Sequence, residues 1–141
     1  MNQLQEDHKL RNYIRHPDVD QKLEKDPYTL VLLLMEGAIE KIQKARLSHE
    51  QKKAAEKGFY LGRATAIIDS VRDRLASLSL GASMEVELQS LYAHVDTMLQ
   101  QAIEEPQLAS LDNSLNILAI LHESWRELVE GFLSTQENVA H

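Results

Sequence analysis

The chain contains no cysteine. That one absence removes disulfide frameworks, thiol chemistry and cysteine-based metal sites together. Proline occurs three times and glycine five times, so little of the chain is marked for turns. Positive charge is also short: 15 Lys and Arg against 22 Asp and Glu give a net charge of −7. A surface of that sign is repelled by phosphate backbones, so nucleic acid is not an expected partner. The longest apolar run has six residues, 30–35, where a membrane span needs about 20. The N-terminal stretch MNQLQEDHKLRNYIRH scatters its charges and has no apolar h-region, so it does not read as a secretory signal. These exclusions point to a cytoplasmic protein, and 141 residues suit one domain with a real core.

What is present is helix. The stretch DPYTLVLLLMEGAI, 26–39, opens with a start signal. Asp26 can accept from free backbone N–H groups, and Pro27 occupies the first helical position, where its missing N–H costs nothing. A first helix is expected from Pro27 to about Ser48, with Ala38, Ile42 and Ala45 on its apolar stripe. A second runs from about Glu50 to Leu80, its stripe including Leu61, Ile68, Val71 and Leu75, with Gly81 as the residue that closes it. Gly58, Gly62 and Ala66 fall on one line of that helix and read as a flat strip against which a neighbouring segment packs. Gly37 likewise suggests close backbone approach. A third helix is expected from Ser83, with Leu88, Leu91 and Tyr92 in its core, to the break at Pro106. The fourth spans about Leu108 to Phe132, with Leu118 and Trp125 inward. Four amphipathic helices of roughly 22–30 residues, about 33–45 Å long, joined by short loops, give an all-α fold: an antiparallel up-down four-helix bundle. Residues 1–25 form a polar arm or short helix anchored by Tyr13 and Ile14, 26–133 the bundle, and 134–141 a frayed tail.

Bundles of this size often hold di-metal centres built on Glu-x-x-His. His49, His94 and His122 follow Arg46, Leu91 and Ala119 at that spacing, so the motif is missing. No metal site and no cofactor are expected. There is no G-x-S-x-G turn and no glycine-rich phosphate loop, the carboxylates are scattered over polar faces, and the chain does not read as an enzyme.

One surplus is left over. The run 30–35 covers the whole helix circumference, and Phe59, Tyr60, Ile67, Ile117 and Ile120 lie outside the buried stripes. A bundle helix needs about three apolar positions in seven. Extra apolar surface on a soluble protein usually means a protein partner. The alternative is a homodimeric structural or regulatory bundle whose apolar strip is the dimer interface.

The same residues resemble a family. Asp26-Pro27-x-x-Leu30-x-x-x-Leu34-Met35-Glu36-Gly37-Ala38 resembles the S-P-x-x-L-x-x-M-L-Y-[DE]-G-A signature of FliS, the flagellar secretion chaperone that holds flagellin. Arg63-Ala64-x-x-Ile67-Ile68 is similar to that family's K-A-x-x-I-I. Leu88-x-x-Leu91-Tyr92 resembles its L-x-x-L-Y, and Ala102 falls where that helix ends in L-x-x-A. Leu118-x-x-Leu121-x-x-x-Trp125 resembles its L-x-x-L-[RH]-x-x-W. Tyr13 lies about where the family carries a tyrosine on its arm. The match runs through nearly the whole chain in order. Asp26 stands for the family's serine, Met35 for its tyrosine, Arg74 for a serine before Leu75, and His94 for a second aromatic.

The resemblance implies a cytoplasmic export chaperone. It would bind the disordered C-terminal segment of flagellin, which folds into helices as it lays apolar faces into grooves. The guest is kept from polymerising early and stays deliverable to the flagellar export apparatus. The expected guest-facing residues are Leu30, Leu33, Leu34, Met35, Phe59, Tyr60, Ile67, Ile117 and Ile120.

Overall fold

The computed structural model describes residues 26–140. Four helices follow one another: α1 (Pro27–Glu50), α2 (Ala54–Ala76), α3 (Ala82–Glu104) and α4 (Ala109–Ala140). The arm anchors Tyr13 and Ile14 lie outside the described residues. The compact unit that holds the bundle begins at Val31, and the turn before it, 26–30, carries its own start signal. Asp26 Oδ1 accepts from the backbone N–H of Tyr28 at 3.1 Å and of Thr29 at 3.2 Å, and Oδ2 accepts from the Thr29 hydroxyl. Two of the orphan donors at the helix start are thereby satisfied by one side chain.

The joints are short because the chain reverses with local hydrogen bonds. At the first, Lys52 takes φ +60°, and the Lys53 N–H donates to the Ser48 carbonyl at 2.8 Å. That six-to-one bond is a Schellman ending with lysine in the left-handed position that glycine usually fills. The second helix stops at Ala76, short of the expected Leu80. Ser77 bonds its backbone N–H and hydroxyl to the Arg74 carbonyl at 3.1 and 2.8 Å, which closes the turn early. Gly81 does not end α2. With φ +88° it precedes α3 as its N-cap, and Ser83 lies exposed in the first turn without a capping role.

Between α3 and α4, Glu105 is extended (φ −72°, ψ 128°), as a residue before proline must be. Its carboxylate accepts from Ser110 N at 3.1 Å and from the Ser110 hydroxyl. Its carbonyl accepts from Lys57 Nζ at 3.0 Å. Lys57 is buried, and that burial lowers its pKa while Glu105 opposes the shift. The fourth helix continues past Phe132 through STQENVA to Ala140. No proline stands there to stop it, and a polar composition alone does not end a helix.

Cross-helix contacts fix the pairing. Glu36 meets His122 and Arg46 meets Asp112, so α1 and α4 run antiparallel. Lys57 meets Glu105 and Arg72 meets Gln89, so α2 and α3 do too. The Tyr92 hydroxyl crosses from α3 to donate to Met35 Sδ at 3.1 Å. The interior is mainly aliphatic, with Tyr60, Tyr92 and Trp125 buried among it: Val31, Ala38 and Ile42 from α1, Leu61, Ile68 and Leu75 from α2, Val95 and Leu99 from α3, Leu111 and Leu118 from α4 are all fully buried. Each large side chain removed from water contributes about 1.5–3 kcal/mol.

Candidate functional site

The expected guest-facing residues divide by depth. Met35 is fully buried, and Leu30, Leu34, Tyr60 and Ile67 are nearly so. Leu33, Phe59 and Ile117 are half-buried, and Ile120 is 68% exposed. Of the expected core, Ala38, Ile42, Ile68, Tyr92, Leu118 and Trp125 are buried, whereas Leu88 and Leu91 are half-open.

Two seams collect the half-open residues. On α1, Gly37 faces Ile67 and Lys44 lies over the Tyr60 ring at 5.8 Å. Leu33 is one turn before Gly37 and shares that α2-facing side. Phe59 stacks edge-on to Tyr60, with ring centroids 5.4 Å apart. This α1–α2 seam therefore brings together Leu33, Phe59, Tyr60 and Ile67. A Cβ on Gly37 would meet only Ile67 Cδ1, at 3.8 Å, and none on Gly58 or Gly62 would meet any atom within 4 Å. The small residues thus do not serve close packing by a described neighbour, contrary to the expectation for both.

The second seam lies between α3 and α4. On α3, Gln89 and Asp96 face α2 through Arg72. Met84, Leu91 and Met98, spaced seven apart, flank the buried stripe on its other side and so face α4. On α4, Asp112 and His122 face α1, which leaves Ile117 and Leu128 on the α3 side. Met84 is 45% and Leu128 40% exposed; Leu91, Met98 and Ile117 are half-buried. With Ile120 at its edge, this is an apolar strip the length of the helix pair. The sequence reading found Ile117 and Ile120 but missed Met84, Leu91, Met98 and Leu128. All four sit within their helices' apolar stripes, where periodicity assigns them to the core; only the positions of neighbouring helices show that they sit on its shoulder.

The charged groups nearby are surface pairs. Arg46 Nε reaches Asp112 Oδ1 at 2.9 Å, and His122 Nε2 lies 3.3 Å from Glu36 Oε2. Such exposed pairs are screened by water and contribute little to stability. His94 is exposed on α3. No three metal-ligating side chains come together among the described residues, and no described helix is long and apolar enough to cross a membrane.

Half-open apolar seams on an antiparallel helical bundle are surface of the kind that protein partners cover. The family model described as flagellar protein FliS matches residues 12–131. The flagellar secretion chaperone FliSB of Pseudomonas aeruginosa is 30% identical over 100 residues, covering 71% of this chain and 79% of that protein. The flagellar secretion chaperone FliS of Vibrio cholerae is 30% identical over 102 residues, covering 72% and 74%. The chain belongs to the FliS family of flagellar secretion chaperones.

Proposed function

We propose that this protein is an export chaperone for flagellin and that it acts in the cytoplasm, before secretion. It binds the disordered C-terminal segment of flagellin, which becomes helical along the bundle's apolar seams. The observation that carries this reading is the α3–α4 strip of Met84, Leu91, Met98, Ile117, Ile120 and Leu128, apolar and open along a helix pair in a chain of this family. Leu33 and Phe59 offer a second, shallower contact on the α1–α2 seam. An amphipathic guest buries its own apolar face there and leaves its polar face in water. Affinity is then set by apolar burial less the ordering cost of the guest. No reaction takes place. A guest so wrapped cannot pair with other flagellin subunits and remains available to the flagellar export apparatus.

The test is fluorescence anisotropy with a labelled flagellin C-terminal peptide. Ile120→Glu puts a charge on an open position and leaves the fold intact, so it is expected to weaken binding at least tenfold with unchanged helicity. Leu33→Glu asks the same of the α1–α2 seam. Wild-type affinity in both variants would refute the reading. Light scattering of the free protein separates it from the alternative: a stable homodimer that dissociates on Ile120→Glu would make the strip a dimer interface instead.

A further inference from the structure

Asp96 lies where α2 and α3 meet, with its side chain 17% exposed. Its Oδ2 is 3.6 Å from Arg72 Nη1. That guanidinium is held in place, since Arg72 Nε donates to Gln89 Oε1 at 3.1 Å and Gln89 Nε2 donates back to the Arg72 carbonyl at 2.8 Å. Asp96 Oδ1 is fully buried and accepts no hydrogen bond. The other group across the seam is the carboxyl of Asp69, just before Arg72 on α2 and within hydrogen-bonding reach of Asp96. Ionised carboxylates only accept, so two of them cannot bond unless one holds a proton. Left bare they repel, and the buried oxygen keeps the full cost of its lost hydration. The charged groups facing Asp96 from α2 are Asp69 and Arg72, and Gln89, which shares that side of α3, is neutral.

We propose that Asp96 carries a proton and donates it to the Asp69 carboxylate, making a carboxyl–carboxylate clasp between α2 and α3 that opens as the solution turns alkaline. Burial is the main cause that pushes Asp96 up, to about 7; Asp69 acts in the same direction and Arg72 against it. In the unfolded chain the group returns to about 3.9. Between those values the folded protein binds more protons than the unfolded one, so folding stability falls as pH rises through that window. The stability linked to the Asp96 proton is complete once the pH falls to the ordinary carboxylate range and is lost above neutrality. The tie between the second and third helices is thereby set by ambient pH close to neutral. This clasp does not depend on what the apolar seams bind.

The decisive measurement is an NMR titration of the Asp96 side-chain carboxyl carbon in the intact protein. The expected midpoint is near neutrality, and a midpoint in the ordinary carboxylate range overturns the proposal. Thermal unfolding from pH 5.5 to 8.5 gives the second arm. Asp96→Asn places an amide donor beside Asp69 without needing a proton. Its melting temperature is expected to exceed that of the wild type at pH 8.5 by about 5 °C, with the difference shrinking as pH falls. Parallel pH profiles for the two proteins would also overturn it. If Asp96→Asn does not fold, the titration of the wild type decides alone.

Discussion

Replacing Met35 by leucine tests how α1 is joined to α3. The swap conserves volume, and such changes in a packed interior cost less than about 1.5 kcal/mol. Here it also removes the sulfur that accepts from the Tyr92 hydroxyl at 3.1 Å. Tyr92 is 1% exposed, so water cannot take the vacated position, and an unsatisfied buried hydroxyl costs about 1–3 kcal/mol. In a Tyr92→Phe background the hydroxyl is absent and only the shape term is left. Met35→Leu should therefore be worse in the wild type than beside Tyr92→Phe, by about 1–2 kcal/mol of coupling. For a domain of this size that is roughly 3–8 °C in melting temperature. Burial raises the Tyr92 pKa well above its ordinary value, so the phenol keeps its proton and the coupling is the same at pH 6 and pH 9. Urea unfolding of the four proteins of the cycle, followed by far-ultraviolet circular dichroism, measures it. Costs that add within about 0.3 kcal/mol would show that the hydroxyl–sulfur contact contributes nothing and that the reasoning is wrong.

Two further outcomes follow from the backbone. Asp26→Ala removes the acceptor of two backbone N–H groups and the Thr29 hydroxyl in the first turn and should cost about 1 kcal/mol, read as a lower urea midpoint with an unchanged slope. Gly58→Ala and Gly62→Ala add a methyl group to open space inside α2, and each should stabilise by about 0.5–1 kcal/mol; a destabilisation would mean that a neighbour occupies that space.

The four helices were legible because each carries its own periodic stripe, and the start at Asp26 and Pro27 because capping is local chemistry. The ends of α2 and α4 were less so. Ser77 closes α2 through bonds to Arg74, short of the expected Leu80, and α4 has no stop signal between Gly131 and Ala140. Gly81 was rightly picked as special, but a left-handed residue suits either side of a joint and the sequence does not say which helix it serves. The run 30–35 shows the main limit. Val31, Leu34 and Met35 are buried and Leu32 and Leu33 half-open, a division set by where α2, α3 and α4 lie. The α3–α4 strip was hidden for the same reason, since Met84 and Met98 share the period of the core. Asp69 and Asp96 belong to different helices, and nothing along the chain marks them as neighbours.

Glu105 touches more of the molecule than any single periodic stripe would suggest. Its carbonyl holds Lys57 of α2, its backbone N–H ends α3, and its carboxylate begins α4. Three helices are thus fastened at one residue in a four-residue joint. Fraying at this end of the bundle cannot proceed one helix at a time: loosening the last turn of α3 also releases the lysine of α2 and the first turn of α4. The three ends open as one cooperative unit, so this pole of the bundle resists the fraying that helix ends otherwise undergo.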